Sequence, residues 1–425
     1  PCRPLGPLMR PFFLIKPYAT IRMRINRRYR SDITCEVHMH AIENSQGTLQ
    51  SLLDQVKDQA SRTQDYVSST NNFQLKTEET PEGSENVSTV VMERDRGVPT
   101  TELRANDVAF QQIATQTGID VRTAKRFQQS YPDVLDHAVN RIWDQEPADR
   151  MLRSFDTGGS YSAYNAGILR AFVSSKFKTF DNVHLLNAAL PALMESDAQW
   201  QVVNGDITDR RLYLRLKSKV IEGQPAVGDL MALGIGLSNS EVGMGSVAAA
   251  QLAWTLACLN GMQTQNKTRS THVTSARDSD QWKLLTDEAK DADNHALSLK
   301  TRDVVSSFAS RESFDAVLDK MGDAHNDVVN ASAADAVAGV VKVLNLKKSD
   351  NTAILDGLME TVGQPGFAGR PISRATMVNA VTAVANKVDP DHVDEWHANG
   401  SKVLNLPASQ WATIRDAEPV ALAAG

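Results

Sequence analysis

Hydrophobic and polar residues alternate in two neighbouring stretches of the chain, and each pattern predicts a β-strand. Leu212, Leu214 and Leu216 alternate with polar residues, which indicates a strand with one buried face. From 231 to 238, large apolar residues occupy one face and Ala, Gly and Ser occupy the other. Small residues along one strand face allow another backbone or a ligand to approach closely. An earlier strand is predicted to begin at Trp200.

The apolar segment that follows the Gly-containing strand predicts a helix. Ser246 is a suitable N-cap for it, and Asn260 and Gly261 provide its stop. Another helix is predicted at 184–194, before the strands. The order helix, three antiparallel strands, helix predicts an α+β core at 160–275.

Helical spacing of apolar residues dominates both flanks of this core. It predicts a mainly helical region at 45–155 and a helical region at 276–425. Within the first region, 111–129 has the pattern helix, glycine turn, helix, which suits a DNA-binding helix-turn-helix and equally an ordinary helical hairpin. The predicted fold class is therefore α+β, with a small antiparallel sheet packed against helices and helical regions on both sides.

The segment 1–40 differs from the rest of the chain in charge. It holds eight Arg or Lys residues, and its acidic residues are Asp32 and Glu36. Three interpretations stay open: translated sequence upstream of a start near Met39, a basic arm for nucleic acid, or a transit peptide. We expect this basic extension to be no part of the fold.

The composition is that of an ordinary globular protein. A chain of 425 residues typically forms two or three domains, and a net charge of −6 argues against a wholly basic nucleic-acid binder. The cysteines, Cys2, Cys35 and Cys258, are far apart and odd in number, which favours a reducing cytoplasm over a disulfide framework. The sequence has no HExxH pattern and no segment typical of a membrane anchor, so we expect neither a metal site nor membrane attachment.

Basic residues with interleaved aromatics are the best chemical signal for a partner. They would neutralise phosphates and stack on the bases of single-stranded nucleic acid, although a solvated strand face has the same pattern. The candidates on the face opposite Leu214 are Arg211, Tyr213, Arg215, Lys217 and Lys219, and those upstream, near three phenylalanines, are Arg170, Lys176 and Lys178.

Little in the sequence indicates an enzyme. The glycines of GIGLSNSEVGMG lack the spacing of a phosphate-binding loop. Cys258 and His272 have no evident orienting partner. Besides the two hypotheses given below, a third is a hydrolase that acts around Asn239, Ser240, Glu241 and His272. We expect Glu241 to be structural, bound to a cation or to a helix start.

Several segments together resemble the phage and plasmid proteins of domain of unknown function family 932. They are RAFVSSKFKTFDN, SNSEVGMGS, CLNGM, DYVSSTNNFQL, FQQIATQTGIDVRTAKRF and MVNAVTAVANKV with NLPASQW beyond it, and the match covers roughly 49–415. That family has no established activity. The resemblance implies family positions, expected to be structural, at Asn239, Ser240, Glu241, Gly243, Asn260 and Gly261.

A looser resemblance carries a functional expectation. The order of the Trp200 strand, the basic strand, the Gly-containing strand and the long helix is similar to that of Rad fifty-two-type single-strand annealing proteins. It implies a cytoplasmic, homo-oligomeric protein of a mobile element that binds single-stranded DNA without a cofactor and supports annealing, recombination or replication. The alternative is a non-enzymatic structural or interaction protein with no DNA role.

Overall fold

The computed structural model describes residues 22–24, 48–80, 83, 85–92, 101–155, 167–257, 260–270 and 286–417. Across these residues the chain forms two mostly antiparallel sheets and twelve α-helices, which confirms the α+β fold class. Cys2, Cys35, Cys258 and His272 lie outside the described residues.

The first sheet gathers strands from the N-terminal third of the chain. Its spatial order is β1-β2-β6-β7-β5-β4-β3, and all neighbours are antiparallel except β5 and β7. The strands are β1 (Arg22–Arg24), β2 (Thr63–Ser69), β3 (Phe73–Glu79), β4 (Asn86–Met92), β5 (Thr101–Ala105), β6 (Asp149–Phe155) and β7 (Gly167–Ser174).

The region predicted at 45–155 to be mainly helical also contains five strands of this sheet, which the pattern of apolar residues did not predict. The strands are short, and β3 alternates buried apolar residues with exposed charged ones, as in Phe73, Leu75 and Lys76. Their apolar face packs on α2 (Asp107–Gln116), α3 (Val121–Ser130) and α4 (Pro132–Gln145), whose helix, glycine turn, helix order at 111–129 is confirmed.

The basic extension is partly in the fold. Arg22–Arg24 pair with β2 as an edge strand, so the expectation that 1–40 stand apart is wrong for these three residues. The remainder of that segment lies outside the described residues.

The second sheet is a five-stranded antiparallel meander in the order β12-β11-β10-β9-β8. Its strands are β8 (Trp200–Ile207), β9 (Leu212–Ala226), β10 (Asp229–Asn239), β11 (Val247–Thr255) and β12 (Asn260–Ser270). The helix predicted after Ser246 is therefore wrong, since this segment forms β11. All nine β11 residues are buried, so the strand is covered on both faces and shows no alternation of apolar and polar residues.

Helices cover the second sheet and share one hydrophobic core with it. The C-terminal region is helical, as predicted. The helices are α1 (Thr48–Arg62), α5 (Asn182–Glu195), α6 (Asp287–Phe308), α7 (Arg311–Asn326), α8 (Ala333–Val343), α9 (Asp350–Val362), α10 (Arg374–Ala383), α11 (Pro390–Leu404) and α12 (Ala408–Arg415).

Side chains of α4 bind the edge of the first sheet at β3. The side-chain amide of Asn140 accepts from the Leu75 N–H at 2.7 Å and donates to the Leu75 carbonyl at 3.0 Å. Asp136 accepts from the Thr77 N–H at 2.7 Å. These groups replace the hydrogen bonds of a neighbouring strand, so this part of the edge is closed.

Gly234 should be intolerant of a side chain, because a Cβ there would lie 2.2 Å from Nε1 of Trp254 and 2.8 Å from the Leu216 carbonyl oxygen. We expect Gly234→Ala to lower the free energy of unfolding by about 1–3 kcal/mol through overpacking. Gly363→Ala is the matched control, since its Cβ would make an ordinary contact at 3.7 Å. Equal unfolding midpoints in urea for the two variants would contradict this packing argument.

Candidate functional site

The predicted nucleic-acid face of β9 is largely covered by α11. Arg215 has a side chain only 3% exposed, and its Nη2 lies 2.7 Å from Oδ1 of Asp394. The buried Tyr213 hydroxyl donates to Asp391 at 2.9 Å. Burial raises the pKa of the Tyr213 hydroxyl, and the hydrogen bond to Asp391 raises it further. The prediction that Tyr213 and Arg215 face solvent is wrong, because the acidic side of α11 binds them.

The other predicted cations do not form one continuous surface. Arg211 donates from Nε to the Met244 carbonyl at 2.8 Å. Lys178 pairs with Asp293 at 3.1 Å. Lys176 and Lys217 are half-buried, Lys219 is exposed and Arg170 is buried.

Arg170 belongs to a buried ion cluster that joins the two sheets. We define the ion cluster as Arg153, Arg170, Asp65, Asp181 and Glu241. Arg153 is at its centre, with a side chain 1% exposed, and donates to Asp65 at 2.9 Å and to Asp181 at 2.7 Å. Arg153 Nη1 also donates to the Glu241 carbonyl oxygen at 2.9 Å. Strands β2, β6 and β7, the start of α5 and the turn after β10 therefore meet at these charges.

Glu241 is structural in this arrangement, as its sequence context predicts. One carboxylate oxygen accepts from Arg170 Nη2 at 2.7 Å. The other accepts from the Asn182 backbone N–H at 2.7 Å, at the first residue of α5, where the helix dipole favours negative charge. The helix start that it binds is thus α5 and not the helix predicted near Ser246.

Burial and neighbouring charges compete within the ion cluster. Burial raises the pKa of Asp65, and the charge of Arg153 offsets only part of this effect. Burial also acts to raise the pKa of Asp181, but Arg153 and His184 outweigh it, so that pKa is lowered. The surrounding carboxylates overcome burial and raise the pKa of Arg153. Arg153 therefore stays charged, and its partners must compensate it.

The remaining family positions also make structural contacts. Asn239 donates to the Phe180 carbonyl at 2.8 Å, and Ser240 donates to the Arg210 carbonyl at 2.7 Å. Gly243 has a φ of 76°, which favours glycine. Asn260 accepts from Asn386 at 2.7 Å, and a Cβ on Gly261 would lie 2.8 Å from the Trp254 ring.

A different basic surface is open to solvent on α3. Its sequence VRTAKRFQQS contains no carboxylate, and Ala124 is its buried residue. Arg122, Lys125 and Arg126 are exposed, and Tyr131 at the end of the helix is 47% exposed. We call these four residues the α3 surface. Lys125 also forms an ion pair with Asp107 at the start of α2.

A polar cleft of about 520 Å³ lies beside the α3 surface. Its walls come from the end of α3, the start of α2, the facing ends of β4, β5, β6 and β7, α1 and the turn between β8 and β9. Gln128 and Gln129 of α3, Arg104 of β5 and Arg170 of the ion cluster all line it. Arg170 and the helix, glycine turn, helix pattern at 111–129 were sequence signals for this region, and a further one is the charged Arg153 within the strand MLRSF.

The described residues hold no group of three or more His, Cys, Asp or Glu that could bind a metal ion. Among the helices that the structure describes, none is both long and apolar enough to cross a bilayer.

Replacing Glu241 should destabilise the fold without any catalytic signature. Glu241→Gln leaves Arg170 buried without its counter-charge, so we expect a loss of about 3 kcal/mol in the free energy of unfolding. The control is Glu360→Gln, whose carboxylate pairs with Lys387 at the surface and is 52% exposed. That change should cost less than about 1 kcal/mol in denaturant unfolding. A Glu241→Gln protein as stable as the control would refute the structural role.

His397 should make the protein sensitive to acid. Burial, together with the charge of Arg215, lowers the pKa of His397 to about 3. The unfolded state binds its proton below about pH 6.5, whereas the folded state does not, so stability falls as the pH drops from about 6.5 towards 3. We expect wild type to lose about 2 kcal/mol more than His397→Gln between pH 7 and pH 5. Parallel stability–pH curves for the two proteins would contradict this.

A scan of protein-family models, a search of curated proteins and a search of solved structures each find no match to this chain. The resemblances to domain of unknown function family 932 and to Rad fifty-two-type proteins therefore stay predictions.

Proposed function

We propose that this protein binds single-stranded DNA through the α3 surface and acts in annealing, recombination or replication. The observation that carries the proposal is the exposed face of α3, on which Arg122, Lys125 and Arg126 stand together. Asp107 pairs with Lys125. Asp120, at the N-cap of the helix, lies near Arg122. Both carboxylates are exposed, so phosphates can compete with them for these cations. Such cations bind phosphates with release of counterions and need no cofactor.

Tyr131 supports a single strand over a duplex. Its ring is 47% exposed and meets Phe127 edge to face, with centroids 6.1 Å apart. An aromatic ring of this kind stacks on a base whose face is free, which a duplex does not offer.

The β9 face contributes little in this proposal. Asp391 accepts a hydrogen bond from Tyr213 and Asp394 forms an ion pair with Arg215, so phosphates would have to compete with contacts that are already made. The proposal keeps the partner expected from the sequence and assigns it to another surface. Assembly into a homo-oligomer would bring many weak α3 surfaces together along one strand.

Two double variants separate the two surfaces. Arg122→Gln with Arg126→Gln should weaken binding of a fluorescent single-stranded oligonucleotide and reduce the salt slope of its affinity by about 1.4, at about 0.7 per lost phosphate contact. Lys217→Gln with Lys219→Gln removes the same charge from β9 and should leave both quantities nearly unchanged. Fluorescence anisotropy at several salt concentrations measures them.

The same titration can overturn the proposal. Wild-type protein without affinity for oligonucleotides at low salt would favour the non-enzymatic interaction protein. Equal weakening by both double variants would remove the assignment to α3. Tighter binding to duplex than to single-stranded DNA would favour a helix-turn-helix role for α2 and α3.

A further inference from the structure

Two residues that line the polar cleft each carry a buried polar atom with no hydrogen-bond partner among the described residues. These atoms are Nη1 of Arg170 and Oε1 of Gln59. The Arg170 side chain is 10% exposed and is held in place by Glu241. Nη1 is a donor and Oε1 is an acceptor, so the residues lining the cleft carry one unused group of each kind. Unpaired buried groups are costly, and a ligand that pairs with both would relieve that cost.

The charges around the cleft favour a neutral ligand over an anion. Its walls include three carboxylates, from Glu85, Asp107 and Asp209, and two guanidinium groups, from Arg104 and Arg170. The charge of Arg170 is already balanced by Glu241 at 2.7 Å, and that of Asp107 by Lys125. Two carboxylates, from Glu85 and Asp209, therefore remain against the one guanidinium of Arg104. A phosphate inside the cleft would meet this acidic surplus, whereas a neutral group with an acceptor and a donor would not.

The apolar parts of the cleft suit a flat ring. Phe110, Phe155 and Ile168 line it, and the guanidinium of Arg170 lies 3.9 Å from the centroid of the Phe155 ring. A nucleobase has apolar faces and carries acceptors and donors side by side on its pairing edge. A cleft of about 520 Å³ is also within the range of small-molecule sites, about 300–1,000 Å³.

We propose that the cleft takes one unstacked nucleobase of the bound strand. Arg170 Nη1 donates to a carbonyl oxygen or ring nitrogen of the base, and Gln59 Oε1 accepts from a base N–H. This inference rests on the proposed function, since the α3 surface would hold the phosphates outside. Gln128 and Gln129 of α3 line the cleft, so one helix borders both the phosphate surface and the base site.

Two variants test the base site without removing Arg170, which the fold needs. Gln59→Met deletes the acceptor at similar size, and Ile168→Trp fills the cleft from a position that is 40% exposed. Gln55→Met is the matched control, because Gln55 is exposed on the same helix, α1. The probes are a fluorescent oligodeoxythymidylate and a fully abasic sugar-phosphate chain of equal length.

We expect Gln59→Met to bind oligodeoxythymidylate about three- to tenfold more weakly, as for one lost hydrogen bond. Ile168→Trp should also weaken this binding, because its larger side chain occupies the space of the base. The affinity of both variants for the abasic chain should equal that of wild type and of Gln55→Met. Unchanged oligodeoxythymidylate binding by both variants, or an equal loss on both probes, would overturn the base site while the proposed function stands.

If wild type binds neither the oligodeoxythymidylate nor the abasic chain, free thymidine still tests the base site separately from strand binding. Saturation-transfer NMR that detects thymidine on wild type and on Gln55→Met, but not on Gln59→Met, would support the base site without strand binding. No transfer to wild type would overturn the base site as well.

Discussion

The buried charge of Arg153 constrains the fold more than any other single group. It lies where the core of the first sheet meets the core of the second, and it binds carboxylates from β2 and from the start of α5. Removing one member of such a group leaves an uncompensated buried charge, which is far costlier than losing a surface pair. Apolar side chains can shift against one another while staying in contact, whereas hydrogen-bonded charges fix both the distance and the direction between their two groups. The relative position of the two sheets, and of the cleft that Arg170 lines, therefore depends on these charges.

The pattern of apolar and polar residues along the chain predicted those strands and helices that have one buried and one exposed face. The alternation around Leu214 identified β9, and the glycine between α2 and α3 identified their turn. It failed at β11, since a strand buried on both faces has no alternation to detect. It also undercounted the short strands of the N-terminal third, where it predicted a mainly helical region.

The site was harder to predict, because its members are distant in sequence. Alternation placed Tyr213 and Arg215 on one face, yet what covers that face is α11, nearly 180 residues away along the chain. Glu241 was expected to bind a cation, but no local signal selects Arg170 as that cation. A basic strand face thus reports charge and not exposure, and only the tertiary arrangement tells which cations remain for a partner.

The side-chain amide of Asn140, which reaches from α4 to the backbone of β3, limits how copies of this chain can assemble. Sheets in separate molecules join when a bare edge strand accepts another strand, and at Leu75 both backbone groups are already occupied. Growth of a continuous intermolecular sheet from that side is blocked at its first hydrogen bonds. Any ring or filament built from this protein must therefore use side-chain surfaces or another strand edge.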